Sequence, residues 1–230
     1  MADFLMELPL FSIVLTFAAF QVGLWCQKKT KSPLFNPILI GAALVIGALL
    51  LIDADPNTYV AATESLTWLL TPATVCLAVP LYRQIKVLKK NLPAILIGIF
   101  AGAVTSLLTV FLLCSLFSLD RHVSVSLLPK SITTAIGLAL SEQNGGNPTL
   151  TSIVIVITGV LGNLVGPSLC KLLKLTDPVS QGVAFGVASH LGGTSKATEM
   201  GPLAGAVSSL SLVVAGIVSA LIFPLFCALL

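Results

Sequence analysis

Residues 91–119 read NLPAILIGIFAGAVTSLLTVFLLCSLFSL and contain no charged side chain. A helix needs about 20 apolar residues to cross the hydrocarbon core of a bilayer, and this stretch exceeds that length. Charge-free runs also occupy residues 8–27, 32–52, 143–170 and 200–230. Five full spans are therefore expected, at about 8–26, 33–52, 92–114, 149–171 and 203–229. The composition agrees. Only 9% of residues are charged and 56% are hydrophobic, against about 25% charged in an ordinary soluble domain. A soluble enzyme, a disordered chain and a nucleic-acid binder are excluded, because so few charges cannot cover a water-exposed surface. The expected fold is an all-α integral membrane protein, residues 1–230 forming one polytopic domain of about 7–8 membrane segments.

The five cysteines, Cys26, Cys76, Cys114, Cys170 and Cys227, are scattered through apolar runs without metal-ligand spacing, so they read as small buried hydrophobes. The first residues, Met1 to Glu7, hold no basic side chain. They make a poor secretory signal, and the first apolar run is expected to remain as a span.

Three segments are less regular. Residues 59–82 contain Glu64, Pro72 and Pro80; residues 123–141 contain Pro129 and Lys130; residues 178–198 contain His190, Gly192-Gly193 and Lys196. Broken helices persist in lipid only against protein or a water-filled cavity, so these segments are candidates for the lining of a path. Charge placement says the same. Lys28, Lys29 and Lys31, then Arg83, Lys86, Lys89 and Lys90, then Lys171 and Lys174 form three basic clusters. Under the positive-inside rule the first two are cytoplasmic if residues 59–82 cross the membrane, and the third only if 123–141 does not fully cross. That segment is therefore expected to be re-entrant or discontinuous. A weak repeat pairs Leu69–Val75 with Leu127–Thr133, and Gly98 and Gly102 with Gly159 and Gly162, suggesting halves of about 1–120 and 121–230. Its orientation, parallel or inverted, stays open.

Three constellations carry chemistry. In Pro129-Lys130-Ser131-Ile132-Thr133-Thr134-Ala135, Pro129 favours a helix start. Lys130 with the hydroxyls of Ser131, Thr133 and Thr134 would hold a carboxylate at its positive end. In Ala188 to Glu199, the Gly192-Gly193 pair permits unwinding between Ser189, His190 and Thr194. His190 titrates near neutrality and, with Glu199, is a candidate for proton coupling. Lys196 and Glu199 are spaced to pair with each other. Thr71 and Thr74 flank Pro72 and would line a third break. No nucleophile–base pair, metal spacing or phosphate loop is present, so neither catalysis nor a cofactor is expected.

Together these motifs resemble the LrgB/CidB family of bacterial membrane proteins. The likeness covers nearly the whole chain. It rests on Phe35-Asn36-Pro37, on Pro72 to Tyr82, on Pro129 to Ala135, on Ala188-Ser189-His190-Leu191-Gly192 and on Ser208-Ser209-Leu210. Thr71 to Cys76 and Met200-Gly201-Pro202 lie nearer the LrgB side. The resemblance implies a multi-pass protein of the bacterial cytoplasmic (inner) membrane. It implies two functions. One is a carrier for a small monocarboxylate such as pyruvate, glycolate or glycerate, as in the bacterial pairs tied to pyruvate uptake and the plastid relative that moves glycolate and glycerate. The other is antiholin-like control of holins, murein hydrolase export and autolysis, with a smaller LrgA-type holin-like membrane partner. Assembly as a homo-oligomer stays open.

Overall fold

The computed structural model describes residues 8–30, 37–69, 72, 75–76 and 78–230. Regular structure among them is helical, in two compact units, residues 1–76 and 77–230. Among the described residues four helices are long and apolar enough to cross a membrane: α1 (Pro9–Thr30), α6 (Ile85–Leu116), α9 (Pro148–Leu172) and α11 (Pro202–Leu229). They coincide with four of the five expected spans; the fifth corresponds to α2 (Pro37–Leu51), apolar but only 15 residues long. Their outer faces remain hydrophobic, Leu221 at 77% exposure among them. That is the arrangement expected where the solvent is lipid.

In the first unit α1 and α2 pack closely because glycine removes the side chain at each contact. A Cβ on Gly23 would lie 2.7 Å from the Pro37 carbonyl oxygen, and one on Gly41 3.4 Å from Phe20 Cα. Short α3 (Pro56–Ala62) is capped by Asp55, whose carboxylate accepts the Asn57 N–H at 3.0 Å. Tyr59 shares a 2.6 Å hydrogen bond with Thr16 of α1. Helix α4 (Glu64–Trp68) follows. Thr71 and Thr74 lie outside the described residues.

The second unit opens with α5 (Ala78–Arg83) and α6, then breaks its helices twice. The first break separates α7 (Arg121–Leu127) from α8 (Thr134–Gln143). His122 Nδ1–H donates to the Gly145 carbonyl at 2.6 Å, and the Asn147 N–H donates to Ser126 Oγ at 2.7 Å. The start of α7 therefore lies beside the end of α8. The segment is a hairpin whose turn, residues 128–133, lies deep against the middle of α6, where Ser106 donates to Ser131 at 3.0 Å. Pro129 does not open a helix here. It lies in the turn, just past α7, which a proline cannot continue; the next helix starts at Thr134, with Thr133 as an N-cap that makes no side-chain bond.

The second break falls inside α10 (Pro178–Met200), where Ser189 (φ −137°, ψ 18°) and His190 (φ 40°, ψ −127°) leave helical geometry. Before it, Gly182 packs on Ala204 and Val207, and Gly186 on Ser208 and Ser211. The first limb thus climbs parallel to α11. After it, Thr194 bonds Ser208 at 2.9 Å and Gly205 packs on Thr198, so the second limb returns. Gly192-Gly193 is not the point of unwinding. Both glycines are helical and serve close approach: a Cβ on Gly192 would meet the Gly159 backbone, and one on Gly193 would lie 2.9 Å from Ser189 Cβ.

The two hairpins enter the bundle from opposite ends. The base of the first adjoins the start of α9. The base of the second adjoins its end, where Gln181 Nε2 donates to the Leu175 carbonyl at 2.7 Å. Their tips converge on Ile155 of α9, whose Cδ1 crowds Gly137 of α8 and whose carbonyl accepts the His190 ring. Leu88, Ile95 and Ile99 of α6 cluster with Val179, Val183 and Leu203. The basic start of α6 (Lys86, Lys89, Lys90) therefore lies at the same end as Lys171 and Lys174, as the charge rule required of a segment that does not fully cross.

Two expectations follow from this arrangement. Cysteines placed at Asn144 and Thr176, on either end of α9, will label from opposite sides of the membrane; labelling of both from one side rejects the hairpin. At the base of the second hairpin, the Ser180 N–H and hydroxyl hold the Asp177 carboxyl below the usual carboxylate range. The folded state thus binds this proton less readily, so the cap contributes fully above about pH 4, and its contribution is lost as pH falls through the folded value. Asp177→Ala should cost about 1 kcal/mol at neutral pH, whereas Asp177→Asn keeps the cap and loses that acid dependence. Thermal unfolding in detergent across pH reads both.

Candidate functional site

A cavity of about 610 Å³ lies between α9 and the first limb of α10, below the converging tips. Its wall on α9 includes Thr158, Leu161, Gly162, Val165 and Gly166; its wall on α10 includes Ala184, Phe185, Ala188 and Ser189. The cavity runs toward Leu173 and Leu175, at the end that carries Lys171 and Lys174. Most of the lining is apolar. Among the described residues the charged one in its lining is Lys130, which reaches it from the turn of the first hairpin.

Lys130 donates from Nζ to Ser131 Oγ at 2.9 Å, and Ser131, buried, is held in turn by Ser106. Among the described residues the ion pair is Lys196–Glu199, so no carboxylate sits at the Lys130 ammonium. Two helix starts lie at the tips beside it, that of α8 at Thr134 and that of the second limb of α10 after His190. Each brings partly unsatisfied N–H groups and the positive end of a helix dipole toward the middle of the bundle. A single fixed cation, adjacent hydroxyls and an apolar wall form a place for one negative charge on a small organic body.

His190 is buried, and both of its ring nitrogens are engaged. Nδ1 accepts the Leu191 N–H at 2.7 Å, so the proton sits on Nε2, which donates to the Ile155 carbonyl at 2.8 Å. The neutral ring thus closes the reversal by bonding one backbone donor and one backbone acceptor. Its approach depends on Gly159, where a Cβ would lie 2.7 Å from His190 Cε1.

The other expected site residues divide. Ser189 lines the cavity against Gly162. The buried Thr194 hydroxyl bonds the His190 carbonyl at 2.8 Å and Ser208, tying the returning limb to α11 instead of facing the cavity. Gly192 and Gly193 set helix contacts, and the Gly192 carbonyl accepts Asn163 Nδ2 at 3.2 Å. Thr133 and Thr134 lie at the start of α8, Thr134 exposed, and neither lines the cavity. Glu199, 58% exposed, pairs with Lys196 at 2.7 Å. It stands nine residues beyond His190, about 13 Å along the helix, away from the tips. Sequence reasoning missed Thr158, Ser106 and Asn163. Asn163 had a signal: an amide side chain inside a charge-free run needs a partner in lipid. Thr158 and Ser106 have none, because hydroxyls within a span can bond their own helix.

The sequence matches the model of LrgB-like proteins over residues 16–229. The chain belongs to the LrgB-like family. It is 36% identical over 219 residues to the antiholin-like protein LrgB of Bacillus subtilis (strain 168), covering 95% of each chain. It is 33% identical over 215 residues to the holin-like protein CidB of Staphylococcus aureus (strain Mu50 / ATCC 700699), covering 94% of each. The antiholin-like protein LrgB of Bacillus cereus (strain B4264) is 33% identical over 219 residues. No solved structure matches. With its apolar helices, family membership makes the chain a multi-pass cell-membrane protein.

The glycine contacts give a direct test of this LrgB-like core. Gly159→Ala and Gly192→Ala insert a methyl group into backbone or ring and should destabilise by about 1–3 kcal/mol. Gly47→Ala in α2, where a Cβ meets nothing within 4 Å, should be neutral or stabilising. Thermal unfolding in detergent distinguishes the two classes.

Proposed function

We propose that this LrgB-like protein is a carrier for a small monocarboxylate of the size of pyruvate, glycolate or glycerate. The observation that carries the reading is Lys130, which lines a cavity at a helix break with no carboxylate of the described residues at its ammonium. An ionisable group held within the apolar bundle is costly unless it meets an opposite charge. The substrate carboxylate supplies that charge. One cation suits one carboxylate; a dicarboxylate would leave a second charge desolvated against Leu161, Val165 and Phe185. Ser131 and Ser189 add hydrogen bonds near the carboxylate, and the helix starts at the tips add their dipoles. His190 acts as the brace that keeps the tips in place; a proton on Nδ1 would sever its bond to the Leu191 N–H.

A second reading is favoured by the names of the relatives, holin-like and antiholin-like. In it the protein regulates a holin-like membrane partner and thereby murein hydrolase export and autolysis. The first unit presents a groove of about 460 Å³ along α1, α2 and α3, floored by Gly41 and Ala42, which suits a partner helix.

Purified protein alone in liposomes separates these readings. The carrier reading expects pyruvate or glycolate uptake that falls at least tenfold in Lys130→Ala and recovers in part in Lys130→Arg, with both variants inserted normally. Undiminished uptake in Lys130→Ala removes the site. Absence of flux under any gradient, with autolysis altered in cells, favours the regulator. Flux only beside an LrgA-type partner makes the carrier a two-component one.

A further inference from the structure

Residues 120–172 and 177–229 share a few distinctive residues at a constant spacing. Asp120 and Asp177, Glu142 and Glu199, Gly159 and Gly216, Pro167 and Pro224, and Cys170 and Cys227 are each 57 positions apart. The geometry repeats with them. Asp120 caps the base of the first hairpin through the His122 N–H at 3.1 Å, and Asp177 caps the second through the Ser180 N–H at 2.8 Å. Thr151 of α9 bonds Ser141 on the returning limb of the first hairpin. Ser208 of α11, its counterpart, bonds Thr194 on the returning limb of the second. Each glycine faces the other repeat's hairpin: Gly159 meets His190, and a Cβ on Gly216 would lie 3.1 Å from Ile136. Because the hairpins enter from opposite ends, the relation is inverted.

The two halves differ in how their seams are packed. The seam between α9 and the second hairpin holds the open cavity, with Cys170 in its wall. The equivalent seam between α11 and the first hairpin is packed shut. Phe223, fully buried, and Cys227 close on Val125 and Leu128, and Phe111 and Phe226 meet edge to face outside them at 5.9 Å. The knob changes sides: Phe185 of the hairpin fills the space over Gly166 in one seam, and Phe223 of the helix packs by Leu128 in the other.

We propose that the chain has a second state with the seams exchanged. A vestibule then opens between α11 and the first hairpin, toward the end opposite Lys171, while the α9 cavity closes. Near-equivalent packing in two inverted repeats makes two such states close in energy, and the small anion at Lys130 meets each vestibule in turn. The exchange of seams rests on the repeat; its use for transport rests on the carrier reading.

The native pair Cys170 and Cys227 reports the exchange. With Cys26, Cys76 and Cys114 replaced by Ala, a membrane-impermeant maleimide is applied from each side of oriented vesicles. Both cysteines are buried, but Cys170 borders the cavity and should label slowly from the Lys171 side, whereas Cys227 borders the closed seam and should be protected. Phe223→Ala, or the milder Val125→Ala, should raise labelling of Cys227 from the opposite side at least tenfold and lower that of Cys170. Labelling of Cys227 from the Lys171 side overturns the proposal, as does a parallel rise at both cysteines. Continued protection of Cys227 in both variants while pyruvate flux proceeds also overturns it. Exchange of labelling without flux leaves the two states standing and removes the carrier reading instead.

Discussion

The His190 imidazole replaces two backbone partners at the place where α10 turns back on itself. Within an apolar bundle an interrupted helix must find its partners in protein, and each orphaned group costs several kcal/mol. The ring takes the Leu191 N–H on one nitrogen and reaches the Ile155 carbonyl with the other. Its own backbone sits at φ 40°, which costs roughly 1–2 kcal/mol for a residue with a Cβ. The pairing of both nitrogens offsets that strain. It also fixes the tip against α9, and so fixes where Ser189 meets the cavity and how near Lys130 of the other hairpin lies.

Glycine on α9 makes this possible. Gly159, Gly162 and Gly166 fall along one face, and each admits a different part of the second hairpin: the His190 ring, the Ser189 side chain and the Phe185 ring. Larger residues on that face would push the hairpin out and leave its reversal unsupported. Packing and polar satisfaction are thus one constraint here, because backbone bonds form only where backbones approach closely.

Much of this was legible in the sequence. Long charge-free runs marked the helices, since twenty apolar residues have few alternatives in a cell. The basic clusters pointed to an irregular 123–141, which folds as a hairpin, because Lys171 and Lys174 had to share a side with Lys86 and Lys89. Lys130 stood out as a cation with no reason to be where it was. The reversal at Ser189-His190 was misplaced onto Gly192-Gly193. Local freedom argues for glycine, but the tertiary demand for contact with Gly159 had already claimed both. The 57-residue correspondence is faint in the sequence, because side chains facing lipid are interchangeable and only the few caps, kinks and contact glycines stay matched.

The hairpins bear on how the protein is made. The second, PVSQGVAFGVASHLGGTSKATEM, contains two charged residues, a histidine and a break after eleven residues. Neither limb has the length or apolarity to enter lipid unaided. Its wall consists of α9 before it and α11 after it, and the bond from Thr194 to Ser208 waits for the last helix. The second hairpin therefore completes its packing only once α11, the last helix, is in place. A nascent chain halted before α11 would hold that hairpin outside the membrane, exposed to chaperones and proteases.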